Sequence, residues 1–339
     1  MSMSKVRRVE YVMMATGVLR LDEARKMCLL GQLRLNGKRA GARQEVRPGD
    51  ELTVGRTVYR VVPGGADRVG LHKISADPER ISAPIRVHCG FHKCMTMYTR
   101  RIYRRAARAK RFSPLIFGGA PTRFRHFYHR KDAWMDQCHR FGISSLSGNC
   151  LDLDRFEDIK VVRFIRDPRD LVISSYFYHR KAGERWCRYK DPTEVDFEVV
   201  NGKVPSGLSE GQTLQECVND APQVDGLSAE IEFRKKHFES MLAWPTEDER
   251  VKLFRYEDLP GNEADVFGEI FTFFEQPSWI VKKARKDAHA FRVGAKEAKK
   301  GHVRNPKSEQ WRKLFTPELN ARFLEKYQPL LERYGYPVD

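Results

Sequence analysis

The chain has 339 residues, 41% of them hydrophobic, and a formal net charge of +17 at pH 7. This length and apolar content suffice for one large or two ordinary domains with buried cores. No apolar run reaches the roughly eighteen residues of a membrane-spanning helix and the first residues lack the apolar core of a signal peptide, so the composition predicts a cytoplasmic protein.

The first 62 residues predict a small basic unit with a helix followed by strands. Thirteen Lys or Arg stand here against six Asp or Glu, a surplus that suits phosphate binding. The predicted elements are a helix ended by glycine at 20–31, strands at 32–36, 46–54 and 59–62, and a turn at Asn36-Gly37.

This unit resembles the small RNA-binding domain shared by a bacterial small-subunit ribosomal protein, pseudouridine synthases and tyrosyl-tRNA synthetases. The resemblance is carried by Gly31-x-Leu-x-Leu-Asn-Gly-Lys38 and Val46-x-Pro-Gly-Asp-x-Leu-x-Val54. It implies a small α+β fold for residues 1–62 and RNA or another polyanion as a candidate partner, the alternative being a docking or dimerising appendage. Residues 63–80 have the glycine, proline and charge content of a linker to a second domain over 81–339.

A first phosphate-binding turn is predicted at Gly90-Phe-His-Lys-Cys-Met-Thr96. It follows an apolar strand at 85–89 and precedes a helix at 96–111, so backbone N–H groups and the positive helix end point to one place. Lys93 adds a point charge and Thr96 a hydroxyl donor. The Gly-x4-Gly-Lys-Ser/Thr pattern of ATP-type loops is absent, so this turn alone is also compatible with an ordinary strand-to-helix connection.

A second turn of this kind is predicted at Arg166-Asp-Pro-Arg-Asp-Leu-Val-Ile-Ser174. Residues 160–165 have the pattern of a buried strand, and Asp167-Pro168 that of a helix start. Arg166 offers a planar fork and Ser174 a hydroxyl to a second phosphate. The alternative role of Arg166 is an ion pair with Asp167 or Asp170. Together the two turns predict a nucleotide held at both ends.

These turns resemble those of the cytosolic-type sulfotransferases, which take sulfate from 3′-phosphoadenosine 5′-phosphosulfate (PAPS). The second turn matches their Arg-x-Pro-x-Asp-x3-Ser motif for the 3′-phosphate, whereas the first shares only Lys93 and Thr96 with their Pro-Lys-Ser-Gly-Thr-Thr-like loop. Residues 251–259 resemble the family's buried strand that ends in Arg-Tyr-Glu-Asp, before a predicted helix at 263–275. Residues 299–301 and 310–316 resemble the element that closes over the nucleotide, with lysine in place of arginine and a longer spacing.

The resemblance implies an α/β domain with a P-loop-type parallel β-sheet flanked by helices, PAPS as the donor substrate, and no metal. Lys93 would be catalytic, because negative charge grows on the leaving phosphate beside it as the S–O bond breaks. The implied donor-binding residues are His92, Lys93, Cys94, Met95, Thr96 and Met97 at the 5′-phosphosulfate, Arg166 and Ser174 at the 3′-phosphate, and Lys299, Lys300 and Gly301 over the nucleotide.

The general base that an acceptor hydroxyl needs has several candidates. The family carries a histidine in a Thr/Ser-His-Leu-Pro-like strand end, but the corresponding residues 143–150 contain none. His179 and Glu184 are slightly preferred because they follow the second helix, on the side where acceptor loops lie. The full set of candidates is His92, His126, His129, His179 and Glu184.

The acceptor itself, a small molecule or carbohydrate with a hydroxyl or an amine, is left open. Residues 190–226 are rich in proline, glycine and acidic residues, which predicts a loop or lid at the acceptor site. Its acidic residues either face a cationic or polyhydroxylated acceptor or are simply solvated; they are Asp191, Glu194, Asp196 and Glu198.

A basic block lies between Arg100 and Lys131, with eleven Lys or Arg and no Asp or Glu. Such a block attracts anions in general, whether a nucleotide, nucleic acid, an acidic polysaccharide or an anionic membrane surface. Its arginines cover more than one side of a helix, so we expect some of them to face a partner or the nucleotide.

The cysteines and histidines do not predict a metal site. Seven cysteines without paired spacing are typical of free thiols in a reducing compartment. His88, Cys89, His92 and Cys94 lie close in sequence, yet no second cluster supplies the other half of a zinc site.

Two other functions remain compatible with the sequence. Assembly into an oligomer is also compatible with it. An RNA- or polyanion-binding protein with a repurposed sulfotransferase fold is motivated by the missing histidine and the basic N-terminus; salt-sensitive RNA binding without donor binding would favour it. A P-loop nucleotide kinase is weakened by the absent second loop glycine and the lack of an obvious Mg²⁺ carboxylate, and a preference for ATP would favour it.

Overall fold

The computed structural model describes residues 7–16, 18–29, 33–54, 57–64, 68–75, 81, 83–91, 93–111, 123–127, 131–147, 151–181, 183–292 and 307–338. Its strands are β1 Leu33–Leu35, β2 Lys38–Arg39, β3 Glu51–Val54, β4 Thr57–Pro63, β5 Val69–Ser75, β6 Ile85–Gly90, β7 Phe124–Phe127, β8 Ile143–Ser147, β9 Ile159–Ile165 and β10 Val251–Arg255. Its helices are α1 Val9–Ala15, α2 Leu21–Leu29, α3 Thr96–Arg111, α4 Lys131–Met135, α5 Pro168–His179, α6 Glu194–Phe197, α7 Leu214–Asp220, α8 Gln223–Phe233, α9 Lys235–Leu242, α10 Glu263–Phe273, α11 Ser278–Ala290, α12 Trp311–Leu314 and α13 Pro317–Arg333. None of these helices is both long and apolar enough to cross a membrane.

Two helices and an antiparallel sheet form the N-terminal unit, by which we mean the described residues between 7 and 75. The sheet has the strand order β2-β1-β3-β4-β5. Asn36 and Gly37 connect β1 and β2 with positive φ angles of 49° and 75°, as the Asn-Gly pair predicts. The helix α2 and the strands β1 and β3 lie in the segments predicted to contain them, and β4 extends beyond its predicted segment, 59–62, at both ends.

Part of the predicted linker, residues 63–80, belongs to this sheet. Strand β5 pairs antiparallel with β4, and Val69 and Leu71 are buried. The apolar alternation of β5 is short and directly follows a Pro-Gly-Gly run, so the sequence predicts a linker here rather than a strand. The N-terminal unit therefore extends to Ser75.

A second sheet of five parallel strands has the order β10-β9-β6-β8-β7. All six residues of the central strand β6 are buried, as expected for a parallel strand covered on both faces. Gly90, at the end of β6, pairs with Ser147 of β8 and Phe164 of β9. The two predicted phosphate-binding turns thus leave adjacent strands at the same edge of the sheet.

The N-terminal unit and one side of the parallel sheet share a hydrophobic core. Val12, Leu33 and Leu52 of the unit belong to one cluster of buried residues with Val87 and Val161 of the sheet. A second cluster contains Val162, Phe164 and Ile165 of β9 together with residues of α3, α5, α8, α10 and α11. Burial of apolar surface therefore fixes the unit against the sheet.

The segment 190–226, predicted as a loop or lid, contains two short helices, α6 and α7, and the start of α8. Phe197, Leu214 and Val218 are buried in the second of the two clusters described above. Thr193 and Thr213 each begin a helix with a capping box. These two helix starts were missed because the surrounding proline, glycine and acidic residues are typical of a loop.

Candidate active site

The first turn has the backbone geometry of an anion-binding loop. Lys93 and Met95 adopt positive φ angles of 71° and 58°, and α3 begins directly afterwards at Thr96. Left-handed residues in a turn direct successive N–H groups to one side, and the first N–H groups of a helix have no partners within it. The turn can therefore offer backbone donors to an anion, as its sequence predicts.

Cys94 anchors this turn to the sheet and faces away from the solvent. Its backbone N–H donates to the carbonyl of Phe91 at 3.0 Å, and its Sγ donates to the carbonyl of Phe164 at 3.3 Å. Burial raises the pKa of the thiol to about 12, so it stays protonated. The Thr96 hydroxyl also donates to the carbonyl of Phe91, at 3.3 Å. Met97 is half exposed, and His92 lies outside the described residues.

The Lys93 side chain lies over an aromatic ring. Its Nζ is 3.7 Å from the centre of the Tyr178 ring, a cation–π contact. Burial, joined by the guanidinium groups of Arg234 and Arg166 and opposed by Glu184, lowers the pKa of Lys93 to about 8. The neighbouring positive charges leave an electrostatic need for an anion at this place.

Arg166 is the second cation of the site and is 4% exposed. Its Nη2 donates to the carbonyl of Lys307 at 3.2 Å and lies 3.5 Å from Asp170 Oδ2, so the predicted ion pair is present but long. The guanidinium stacks 4.4 Å from the centre of the Tyr256 ring. Its Nε is buried and finds no hydrogen-bond partner among the described residues.

The start of α5 is held by a buried ion pair. Asp167 caps the helix by accepting from the Arg169 backbone N–H at 2.9 Å, and the Arg169 side chain donates to both Asp167 carboxylate oxygens, at 3.1 and 2.9 Å. The Asp167 N–H donates to Glu257 Oε1 at 3.0 Å. Ser174, about two turns further along α5, is half-buried. The predicted Arg-Tyr-Glu-Asp strand end thus supports the second turn.

The C-terminal region packs on the same turn. Asp170 Oδ1 accepts from the Trp311 backbone N–H at 3.1 Å, and the Arg169 guanidinium lies 3.4 Å from the centre of the Trp311 ring. The tryptophan element predicted near the nucleotide therefore touches the second turn. The other part of this element, residues 299–301, lies outside the described residues, so Lys299, Lys300 and Gly301 receive no structural account.

Glu184 lies near Lys93 through a shared neighbour. The Tyr178 hydroxyl donates to Glu184 Oε1, while Glu184 Oε2 is buried and without a partner in the described ranges. The carboxylate precedes a short helical turn, Arg185–Arg188. Lys93, Tyr178 and Glu184 thus form one connected group.

The candidate histidines of the base occupy other positions. His179 is fully buried, and its Nδ1 lies 2.8 Å from Glu230 Oε2 between the rings of Trp186 and Phe233. His126 is 8% exposed, and its Nδ1 lies 3.0 Å from Ser145 Oγ. His129, like His92, is outside the described residues.

The acidic residues of the segment 190–226 have partners within the protein. Asp191 accepts from the Gly211 N–H at 2.5 Å, Glu194 forms an ion pair with Lys236, and Asp196 binds Arg68 at 2.7 Å. These contacts occupy three of the four carboxylates that were weighed as acceptor ligands. The carboxylates therefore order the segment itself.

The basic block is partly neutralised by α11. Arg105 forms an ion pair with Asp287 at 2.9 Å, and the Arg101 guanidinium lies 3.6 Å from the centre of the Phe291 ring. Arg104 and Arg108 are exposed. The described residues contain no group of three or more His, Cys, Asp or Glu side chains placed to hold a metal ion, and the described cysteines are free and buried.

The profile of the sulfotransferase domain family matches residues 153–335, more than half of the chain. The chain belongs to this family. The matched part of the sulfotransferase includes the second turn, the Arg-Tyr-Glu-Asp strand end and the tryptophan element, and begins after the first turn. A search of curated proteins found no significant match.

Two solved structures illustrate the likeness of the sulfotransferase to other proteins. Mouse sulfotransferase SULT7A1 complexed with PAP is 14% identical, with a TM-score of 0.40, over 77% of this chain and 90% of that chain. Retinol dehydratase in a complex with retinol and PAP is also 14% identical, with a TM-score of 0.39, over 73% of this chain and 82% of that chain.

Three residues near the site were not selected from the sequence. Tyr178 lies four residues after Ser174 on α5, so the i,i+4 helix rule could have placed it on the same face. Tyr256 stood in the Arg-Tyr-Glu-Asp segment without a stated role. Arg234 lies on no motif, and nothing in the sequence of the sulfotransferase marks its proximity to Lys93.

Proposed function

We propose that this sulfotransferase transfers a sulfuryl group from PAPS to a hydroxyl or amine of a small-molecule or carbohydrate acceptor. The observation that carries the proposal is the buried Arg166 guanidinium, whose Nε has no partner in the described structure, next to the partly desolvated Lys93. A buried charged donor without a partner is costly, and a bound phosphate removes that cost.

The donor residues divide into two groups in this proposal. Lys93, Thr96 and the backbone N–H groups from Cys94 to Met97 bind the 5′-phosphosulfate. Arg166 and Ser174 bind the 3′-phosphate, which distinguishes this donor from ATP. The left-handed backbone at Lys93 and Met95 supports the first assignment, and the shared carboxyl edge of β6 and β9 supports the second. A cytoplasmic location and a role for Lys299, Lys300 and Gly301 over the nucleotide remain parts of the proposal.

Glu184 is the base in the mechanism that we propose. It takes the proton of the acceptor hydroxyl at Oε2, the acceptor oxygen attacks sulfur in line, and the bond between sulfur and the bridging oxygen breaks. Lys93 stabilises the negative charge that then develops on the 5′-phosphate. Among the described residues Oε2 of Glu184 has no hydrogen-bond partner, and this together with the proximity of Glu184 to Lys93 supports the choice over His179, which is buried against Glu230.

The test is calorimetric titration with adenosine 3′,5′-bisphosphate (PAP), AMP and ATP. Wild type should bind PAP in preference to AMP and ATP. Arg166→Ala should weaken PAP binding about 10- to 100-fold, the value of a charged hydrogen bond, and leave AMP binding unchanged. Arg250→Ala is the matched control, because Arg250 precedes β10 at the opposite edge of the sheet. Equal affinity for PAP and AMP in wild type would refute the proposal.

A second candidate function is polyanion or RNA binding by the N-terminal unit. The observation in its favour is a set of exposed basic side chains on and near the edge strand β2: Arg34, Lys38, Arg39, Arg43 and Arg47. Binding of this kind weakens steeply with salt. Fluorescence titration with a single-stranded RNA at rising salt tests it, and Lys38→Ala with Arg39→Ala should reduce the salt slope. Absence of RNA binding at low salt would remove this candidate.

A further inference from the structure

One arginine of the N-terminal unit binds the segment that follows α5. We call residues 183–202 the acceptor-side segment, because it begins next to Glu184. Arg68 Nε lies 2.7 Å from Asp196 Oδ1 and its Nη2 3.2 Å from Asp196 Oδ2, a two-bond fork. The side chains are only 13% and 5% exposed, so water screens this pair far less than it screens a surface pair.

The same guanidinium makes two more contacts with this segment. Its Nη2 donates to the carbonyl of Lys190 at 3.2 Å, and it stacks 4.0 Å from the centre of the Tyr189 ring. One side chain thus fixes a backbone group, a ring and a carboxylate. A lysine offers no planar fork and cannot reproduce this set of contacts.

Packing between Gly70 and Val195 fits the same two elements together. A Cβ atom on Gly70 of strand β5 would lie 1.7 Å from Cγ1 of Val195 in α6. Only glycine leaves room for the valine at this distance. The contact between β5 and the acceptor-side segment is therefore shaped as well as charged.

Two rings of the acceptor-side segment pack in an aromatic cluster with Phe233 of α8. The Trp186 ring lies 5.8 Å from that of Phe197 and 5.6 Å from that of Phe233. Glu184 immediately precedes the helical turn that carries Trp186. Packed rings therefore connect the part of the segment that contacts Arg68 with the helical turn that follows Glu184.

We propose that Arg68 is a positioning residue, through which the N-terminal unit holds the acceptor-side segment and so sets the distance between Glu184 and Lys93. The proposal rests on the proposed role of Glu184 as the base. It gives the N-terminal unit a part in sulfuryl transfer that is independent of any polyanion binding.

Hydrogen exchange of the full chain, followed by mass spectrometry, tests the physical contact. Arg68→Ala should accelerate exchange at least about 10-fold in peptides from 184–200, and Arg68→Lys should restore part of the protection. Arg60→Ala is the matched control, because Arg60 lies on β4 of the same sheet and its ion pair with Glu51 is exposed. Unchanged exchange at 184–200, or equal acceleration throughout the chain, would overturn the proposal.

Two glycine variants test the same contact without changing the charge of the protein. Gly70→Ala should give the exchange pattern of Arg68→Ala, since the added methyl group displaces Val195. Gly41→Ala is its control, because the added Cβ would meet Gln44 at an ordinary 3.7 Å. Wild-type exchange in Gly70→Ala would contradict the proposed packing contact.

The pH dependence of PAP affinity tests the link to the site. Glu184 supports the charged form of Lys93, so its displacement in Arg68→Ala should move the loss of PAP affinity to lower pH, and Arg68→Lys should move it back. A profile identical to wild type would refute the positioning role. If wild type binds no PAP, the proposed function fails, whereas the exchange experiment still decides the contact.

Discussion

The Lys93 ammonium group lies 3.7 Å from the centre of the Tyr178 ring. The hydroxyl of that ring donates to Glu184, so the first turn, helix α5 and the acceptor-side segment meet in one group. A cation held by a ring rather than by a carboxylate keeps its charge available for a bound anion.

The protonation of Lys93 should make a measurable contribution to donor affinity, smaller than its contribution to turnover. Its pKa is lowered to about 8, chiefly by burial, so the cation is present below that pH and is lost as the pH rises through it. We expect PAP affinity in calorimetric titrations to fall above about pH 8. Lys93→Arg should keep its affinity across this range, because arginine stays charged. The same decline in Lys93→Arg as in wild type would assign it to another group.

Substitution should separate the roles of Lys93 and Arg166. Lys93→Ala is expected to lower turnover of PAPS far more than it weakens PAP binding, because the lysine acts on charge that develops during the reaction. Arg166→Ala should do the reverse. Turnover with PAPS and titration with PAP provide the two measurements, and equal effects of each substitution on both would contradict the assignment.

Glu184 should affect turnover without affecting donor binding at a pH well below 8, where Lys93 is charged with or without Glu184. Glu184→Gln keeps the shape of the side chain and removes its basicity, so at such a pH we expect turnover to fall about 10²- to 10⁴-fold while PAP affinity stays unchanged. The measurement is PAP release from PAPS with a panel of alcohol, phenol and sugar acceptors. Glu210→Gln, an exposed change in the following loop, is the control. Full turnover in Glu184→Gln would exclude it as the base.

Local sequence patterns predicted the two helices that follow the phosphate-binding turns. The helix at 96–111 and the Asp167-Pro168 helix start follow from capping and helix-forming residues, and the structure has both. Arg166 and Ser174 were selected because a strand end and a helix face place them together. Their roles in donor binding stay predictions.

Long-range packing determined what the sequence did not predict. Arg68 and Asp196 are 128 residues apart, and neither belongs to a motif. The choice between His179 and Glu184 also depended on burial, because the two residues are equally plausible bases by composition. Strand β5 was missed since its buried residues directly follow turn-forming ones.

His179 should be a residue of stability rather than of catalysis. It is fully buried, with Nδ1 2.8 Å from Glu230, whose other oxygen accepts from Ser175. His179→Gln should lower the free energy of unfolding by about 2–4 kcal/mol, because the substitution disturbs a buried polar network. Urea unfolding measures this, with the exposed His289→Gln as control at under about 0.5 kcal/mol. A fully stable but inactive His179→Gln protein would instead make His179 the base.

Arg169 should be the arginine of the second turn on which folding depends most. Its side chain is fully buried, pairs with Asp167 at 2.9 Å and donates to the Pro337 carbonyl at 2.7 Å. Arg169→Ala would leave the Asp167 carboxylate buried without its partner, a change that costs about 3–5 kcal/mol. We expect a loss of this size in urea unfolding. The control is Arg312→Ala, since Arg312 is half exposed and, like Arg169, contacts the Trp311 ring; its effect on the free energy of unfolding should be near zero. Asp167→Asn in the Arg169→Ala background should recover part of the loss, because it removes the uncompensated charge. Equal stability of Arg169→Ala and Arg312→Ala would show that the ion pair does not hold the start of α5, and that the Asp167 cap and Glu257 suffice.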